Sequence, residues 1–159
     1  MKWWNQLWFS RFDPLPAAVC RIGIGLLLTF MFVALAPNWE RFYGHDGILS
    51  LGEADLNSQR PADWWCLFVW TEDYLPLAAW WWVGLVAAIC LATGLLTRVA
   101  TITLYVLVSS LIHRNNYIVN GEELVLRMML FYGCFAPWGQ ALSVDAWLQR
   151  RRAAGKTLV

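Results

Sequence analysis

Charge is scarce in this chain, and lysine is nearly absent. Only 14% of its 159 residues are charged, and Lys2 and Lys156 are the only lysines. Soluble domains carry about 25% charged residues, so a fully hydrated surface is hard to assemble from this composition. The formal net charge of +1 comes without a basic stripe interleaved with aromatics, which removes nucleic acid from the expected partners. Cysteine is sparse and scattered (Cys20, Cys66, Cys90, Cys134), and no CxxC occurs. Neither a disulfide framework nor a thiolate metal site follows, and such cysteines read as small apolar side chains. Histidine is limited to His45 and His113. No GxSxG elbow, phosphate-binding glycine loop, HExxH or Ser–His–Asp order is present, and neither is an internal repeat or low-complexity tract.

Apolar surface fills the space these absences leave. Hydrophobic residues make up 59% of the chain, 12 of them tryptophan, and the mean hydropathy is +0.46. Four apolar runs approach the ~20 residues needed to cross ~30 Å of hydrocarbon. Indole rings favour the membrane–water interface. The expected fold is therefore an all-α membrane protein of four transmembrane helices with interfacial amphipathic helices, forming a single domain over residues 1–159.

Residues 1–13 carry Trp3, Trp4, Leu7, Trp8, Phe9 and Phe12, and no small-residue cleavage site follows them. They read as an interfacial helix stopped at Asp13-Pro14, not as a cleaved signal. The spans are expected at 15–36, 75–96, 99–113 and 122–138. Gly23, Gly25 and the pair Gly84 and Ala88 offer close-packing faces. Residues 38–74 form a long external loop rich in acidic residues, with a flat helix over Pro61–Thr71. Residues 143–159 form a basic tail. Lys2, Arg11, Arg98, Arg150, Arg151, Arg152 and Lys156 fall on one side, against Arg41, Arg60 and Arg114 on the other. The positive-inside rule then places both termini in the cytoplasm. The expected location is a cell membrane, crossed several times, of the bacterial inner-membrane type.

Ionisable residues inside such spans are costly, and each needs a reason. Arg21 lies ~6–9 Å inside the first span at 1.5 Å per residue. It either snorkels to the headgroups or turns inward to hold a lipid headgroup or an acidic side chain. Glu123 and Arg127 are four apart and share a helix face, so an ion pair is expected. With His45, His113, Asn115 and Asn116, they make a candidate outward-facing polar pocket beneath the Trp64-Trp65 segment. Arg21, His45, His113, Asn115, Asn116, Glu123 and Arg127 are thus the candidate lipid-, quinone- or polar-pocket residues. No residue is singled out as catalytic or metal-binding.

Four stretches carry a resemblance across almost the whole chain. They are Arg21-Ile22-Gly23-Ile24-Gly25, Phe42-Tyr43-Gly44-His45-Asp46-Gly47-Ile48-Leu49, Gly94-Leu95-Leu96-Thr97-Arg98, and Arg114-Asn115-Asn116 running on to Ser143-Val144-Asp145. In that order the chain resembles a short member of the horizontally transferred transmembrane domain family, in the vitamin K-dependent γ-glutamyl carboxylase superfamily. The resemblance implies a cavity for a reduced quinone between the helices, and in the carboxylases a lysine base assisted by a histidine. The chain departs from that pattern: its lysines lie outside the spans, and Gln140 stands where the pattern places a histidine. Carboxylase activity is not expected. The expectation is a non-enzymatic module that binds membrane lipid or a quinone, or a small subunit beside another integral membrane protein. The rival is a membrane enzyme acting on a quinone or lipid headgroup, with His113 or Glu123 moving a proton.

Overall fold

The computed structural model describes residues 14–44, 67–68, 76–114 and 121–156. Every secondary-structure element among them is helical. Helix α1 spans Leu15–Leu35 and has proline in its first turn, where a missing N–H costs nothing. Pro37 then tightens the chain into a 3-10 turn over Ala36–Asn38, and the short helix α2 follows at Trp39–Tyr43. Helix α3 spans Leu77–Thr93, α4 Thr97–Arg114, α5 Gly121–Phe135 and α6 Val144–Lys156.

The helices pack in chain order. Helix α1 lies against α3, α3 against α4, and α4 against α5, while α2 folds back onto α3. The tightest approach is between α1 and α3. A Cβ on Gly25 would sit 2.5 Å from the backbone nitrogen of Ala92, so only glycine fits there. Further along, the Phe32 ring fills the space a side chain on Gly84 would need, and Ala88 is buried one turn on. Two indole N–H groups fasten neighbouring helices, Trp81 Nε1 of α3 donating to the Phe32 carbonyl of α1 at 2.8 Å and Trp39 Nε1 of α2 to the Leu77 carbonyl of α3 at 3.0 Å. Gly23, by contrast, has nothing within 4 Å of a Cβ, so one of the two expected packing glycines of α1 is unused.

The large apolar side chains are distributed unusually. Leu26, Leu27, Phe30 and Val33 on α1 face outward, as do Val83, Val86 and Ile89 on α3. Ile102 on α4 and Met128, Met129, Tyr132 and Phe135 on α5 do the same. Meanwhile Arg21, Thr97, Thr101, Ser109, Ser110 and Arg114 are buried. An apolar core of Leu28, Phe32, Leu91, Leu104 and Leu130 is also inward, so it is the apolar outward faces that depart from the polar outer face of a helix bundle in water.

One helical stretch, Leu15–Tyr43, is long and apolar enough to cross a membrane, with a mean hydropathy of 2.2. The other expected spans are shorter or more polar among the described residues. Helix α3 is apolar but has 17 residues, about 25 Å at 1.5 Å each. Helix α4 has polar ends, Thr97-Arg98 and His113-Arg114. Helix α5 stops at Phe135 instead of running to 138, because Pro137 cannot continue it. The chain there doubles back, and Trp138 packs on Gly133, leaving no room for a Cβ. Of the expected external loop, residues 38–44 form the turn and α2, with Trp39 and Tyr43 buried. Phe68 stacks edge-on against Trp80 at 6.3 Å. The expected interfacial helix at 1–13 and the Trp64-Trp65 segment lie outside the described residues.

Candidate functional site

Helix α3 ends at Gly94, whose φ of +76° places it in the left-handed region. Its N–H bonds Cys90 O at 2.8 Å, and Leu95 N returns to the same carbonyl at 2.9 Å, a Schellman-like stop. The hairpin to α4 therefore turns at Gly94-Leu95-Leu96, ahead of the gap at 97–98 between the expected spans 75–96 and 99–113, and Thr97-Arg98 already belong to α4. The space where Gly94 would carry a Cβ is filled by the Arg21 guanidinium and by Ser143.

Arg21 thus does not snorkel. It is 0% exposed, turned inward beneath the hairpin, and its Nη2 donates to Leu142 O at 2.6 Å. Its Nε and Nη1 are buried without a partner among the described residues. Asp145 sits close enough to feel its charge, and its carboxylate accepts from Leu96 N, Thr97 N and Thr97 Oγ1, each at 3.1 Å. That carboxylate caps α4, where the helix dipole favours negative charge. Burial works against its ionised form. The amides of Thr97 and Leu96, the Thr97 hydroxyl and the Arg21 charge outweigh burial, so its pKa falls below the ordinary carboxylate value. Asp145 N closes the knot by bonding Gly94 O at 3.1 Å. Ser143 Oγ receives Ala146 N at 3.0 Å at the start of α6. A cavity of about 510 Å³ opens beside the knot, lined by Thr97, Thr101, Trp138, Gln140 and Asp145 among others.

The opposite end is built differently. Arg114, at the C-terminus of α4, is buried and donates to Tyr43 O at 3.2 Å through Nε and to Gly44 O at 2.9 Å through Nη2. It caps the carbonyl end of α2, and its Nη1 has no partner among the described residues. Beyond α2, α1 and α5 stand apart and leave a cleft of about 660 Å³. Its walls include Leu27, Met31, Phe42, Leu126 and Met129, with Glu122 and Glu123 among its lining. Glu122, Val125, Leu126 and Met129 recur at helical spacing, so one stripe of α5 faces α1 across the gap.

Only part of the expected pocket comes together. Glu123 lines the cleft and lies within electrostatic reach of Tyr43. The expected ion pair with Arg127 does not form among the described residues, and Arg127 is partly exposed outside that lining. On α5 the cleft stripe runs through 122, 125, 126 and 129, which turns residue 127 away from it. His113 is exposed, its Nδ1 held 2.6 Å from Ser109 O, and it lines none of the cavities described. His45, Asn115 and Asn116 lie outside the described residues. The residues not anticipated are Gly94, Leu142 and Asp145 around Arg21, while Glu122, a candidate to join the expected Glu123–Arg127 pair, lines the cleft. Asp145 carried a usable signal, since Ser143-Val144-Asp145 is a helix-start pattern. No family model, curated protein or solved structure matches this chain.

Proposed function

We propose that the chain is a multi-pass membrane module that holds one hydrocarbon tail, of a lipid or a quinone, in the cleft between α1 and α5. In this reading α1, α3, α4 and α5 cross the bilayer, with both termini on the cytoplasmic side of a bacterial inner membrane. The resemblance to the horizontally transferred transmembrane domain family favours a bound amphiphile and, without an internal lysine, gives no support to carboxylation. Water would leave the outward leucines, phenylalanines and methionines of these helices exposed, whereas lipid tails would cover them at no cost.

The observation that carries the proposal is the cleft itself. At about 660 Å³ it falls within the range of small-molecule sites, and most of its walls are apolar. The test is to purify the full chain in mild detergent, extract it with organic solvent and identify what co-purifies by mass spectrometry. A stoichiometric lipid or quinone is expected. Repeated recovery of an empty, folded monomer would overturn the proposal.

A further inference from the structure

We infer that helix α6 is a docking face for anionic phospholipid head groups, in the leaflet that the α3–α4 hairpin meets. This rests on the proposed reading that α1, α3, α4 and α5 cross a bilayer, and it places a lipid contact apart from the cleft. One face of α6 carries it. Val144, Trp147, Leu148 and Arg151 recur three and four apart, so they share a side of the helix. All four are exposed, and Trp147 leaves half of its surface uncovered, at 51%. The Arg151 guanidinium lies over the Trp147 ring, 4.0 Å from its centroid. Arg150, a turn along from Trp147, is exposed as well. Residues 146–156 hold three arginines and one lysine, with no acidic residue among them.

The start of α6 is pinned to the bundle. Asp145 bonds Leu96 and Thr97 through its carboxylate and Gly94 through its amide, which fixes the helix beside the hairpin. Leu96 and Arg98 of that hairpin are exposed too. A solvated basic arm accounts for the arginines of α6 but not for the tryptophan, leucine and valine exposed among them. A purely apolar contact accounts for those three but not for a cation set in their midst. An anionic head-group layer answers both. The indole and aliphatic groups enter the boundary between heads and tails, while guanidinium N–H groups bond phosphate oxygens. Stacking on Trp147 steadies the Arg151 guanidinium and leaves its in-plane donors for phosphate. The negative potential of a cytoplasmic leaflet complements basic residues held this close to a spanning helix.

The experiment reconstitutes the full chain into two kinds of nanodisc, phosphatidylcholine alone and phosphatidylcholine with an equal part of phosphatidylglycerol. Hydrogen exchange read by mass spectrometry follows the amides of α6, with those of α1 as reference. Exchange over α6 should be slower in the anionic discs by roughly thirtyfold, the factor that two basic residues at ~1 kcal/mol each supply. Arg150→Gln with Arg151→Gln should remove most of that difference, and so should salt at about 1 M. Arg150→Lys with Arg151→Lys should keep the larger part of it, which separates lost charge from a frayed helix. Equal protection in both discs means that the face takes hydrocarbon or another part of the protein, and the inference falls. It falls as well if the difference survives the glutamine variant in full. In either case slow exchange of α1 in both discs leaves the membrane reading standing. A chain that enters discs of neither composition overturns the membrane reading, and this inference with it.

Discussion

The two ends of this bundle each bury an arginine, and they use it in opposite ways. At the hairpin end, Arg21 lies beneath a glycine turn, bonds a carbonyl 121 positions away, and shares its surroundings with Asp145. Three separate parts of the chain converge there, and no side chain could be added at Gly94. At the other end, Arg114 ties α4 to the end of α2 and goes no further, and beside it α1 and α5 stay apart. One end joins three parts of the chain around its arginine, with a cavity of about 510 Å³ beside them, and the other joins two and leaves a largely apolar cleft of about 660 Å³. Packed interiors do not deform gradually, so an error at the hairpin end should be felt throughout the bundle. Errors at the cleft end should stay local.

The largest expected effect tests that contrast directly. Gly94→Val combines left-handed strain in a branched residue with a clash against Arg21 and Ser143. It should lower stability by roughly 3–5 kcal/mol, read from denaturation followed by tryptophan fluorescence. Arg21→Met comes next, at roughly 1–3 kcal/mol, because the Leu142 carbonyl loses its donor inside the bundle. Arg114→Met removes two such bonds and should cost a similar amount, but hydrogen exchange should show the loss confined to residues around α2. If both arginine variants loosen the same amides, the two ends are one cooperative unit and the contrast fails.

Asp145→Ala should cost about 1 kcal/mol by removing the cap of α4. The sign of its pH dependence follows from a lowered pKa. The stabilisation is complete above the ordinary carboxylate value of ~3.9 and is lost as pH falls through the lower folded value. Acid titration of Asp145→Asn should therefore be flatter than that of the parent. The smallest effects belong to a pair of glycines two positions apart. Gly25→Ala meets the Ala92 backbone and should destabilise, whereas Gly23→Ala meets nothing and should gain about 0.5–1 kcal/mol in helix propensity.

Helix positions were legible in the sequence because apolar runs and prolines mark them. The run expected at 15–36 is the helix Leu15–Leu35, and the one at 75–96 contains Leu77–Thr93. The hairpin was misplaced by a few residues because Leu95 and Leu96 continue the apolar run, hiding a helix stop that depends on the backbone of Gly94. The environment of Arg21 was not legible at all. Its partners come from the α3–α4 turn and the start of α6, and no local spacing joins them. The Glu123–Arg127 pair fails for the complementary reason: four-residue spacing permits contact, but the neighbouring helices decide which way each side chain turns.

The bond between Arg21 and Leu142 also sets an order in time. A ribosome adds about 5–20 residues per second, so roughly 6–24 s separate the synthesis of the arginine from that of its acceptor. Throughout that interval the first helix carries a cation with no completed pocket to receive it.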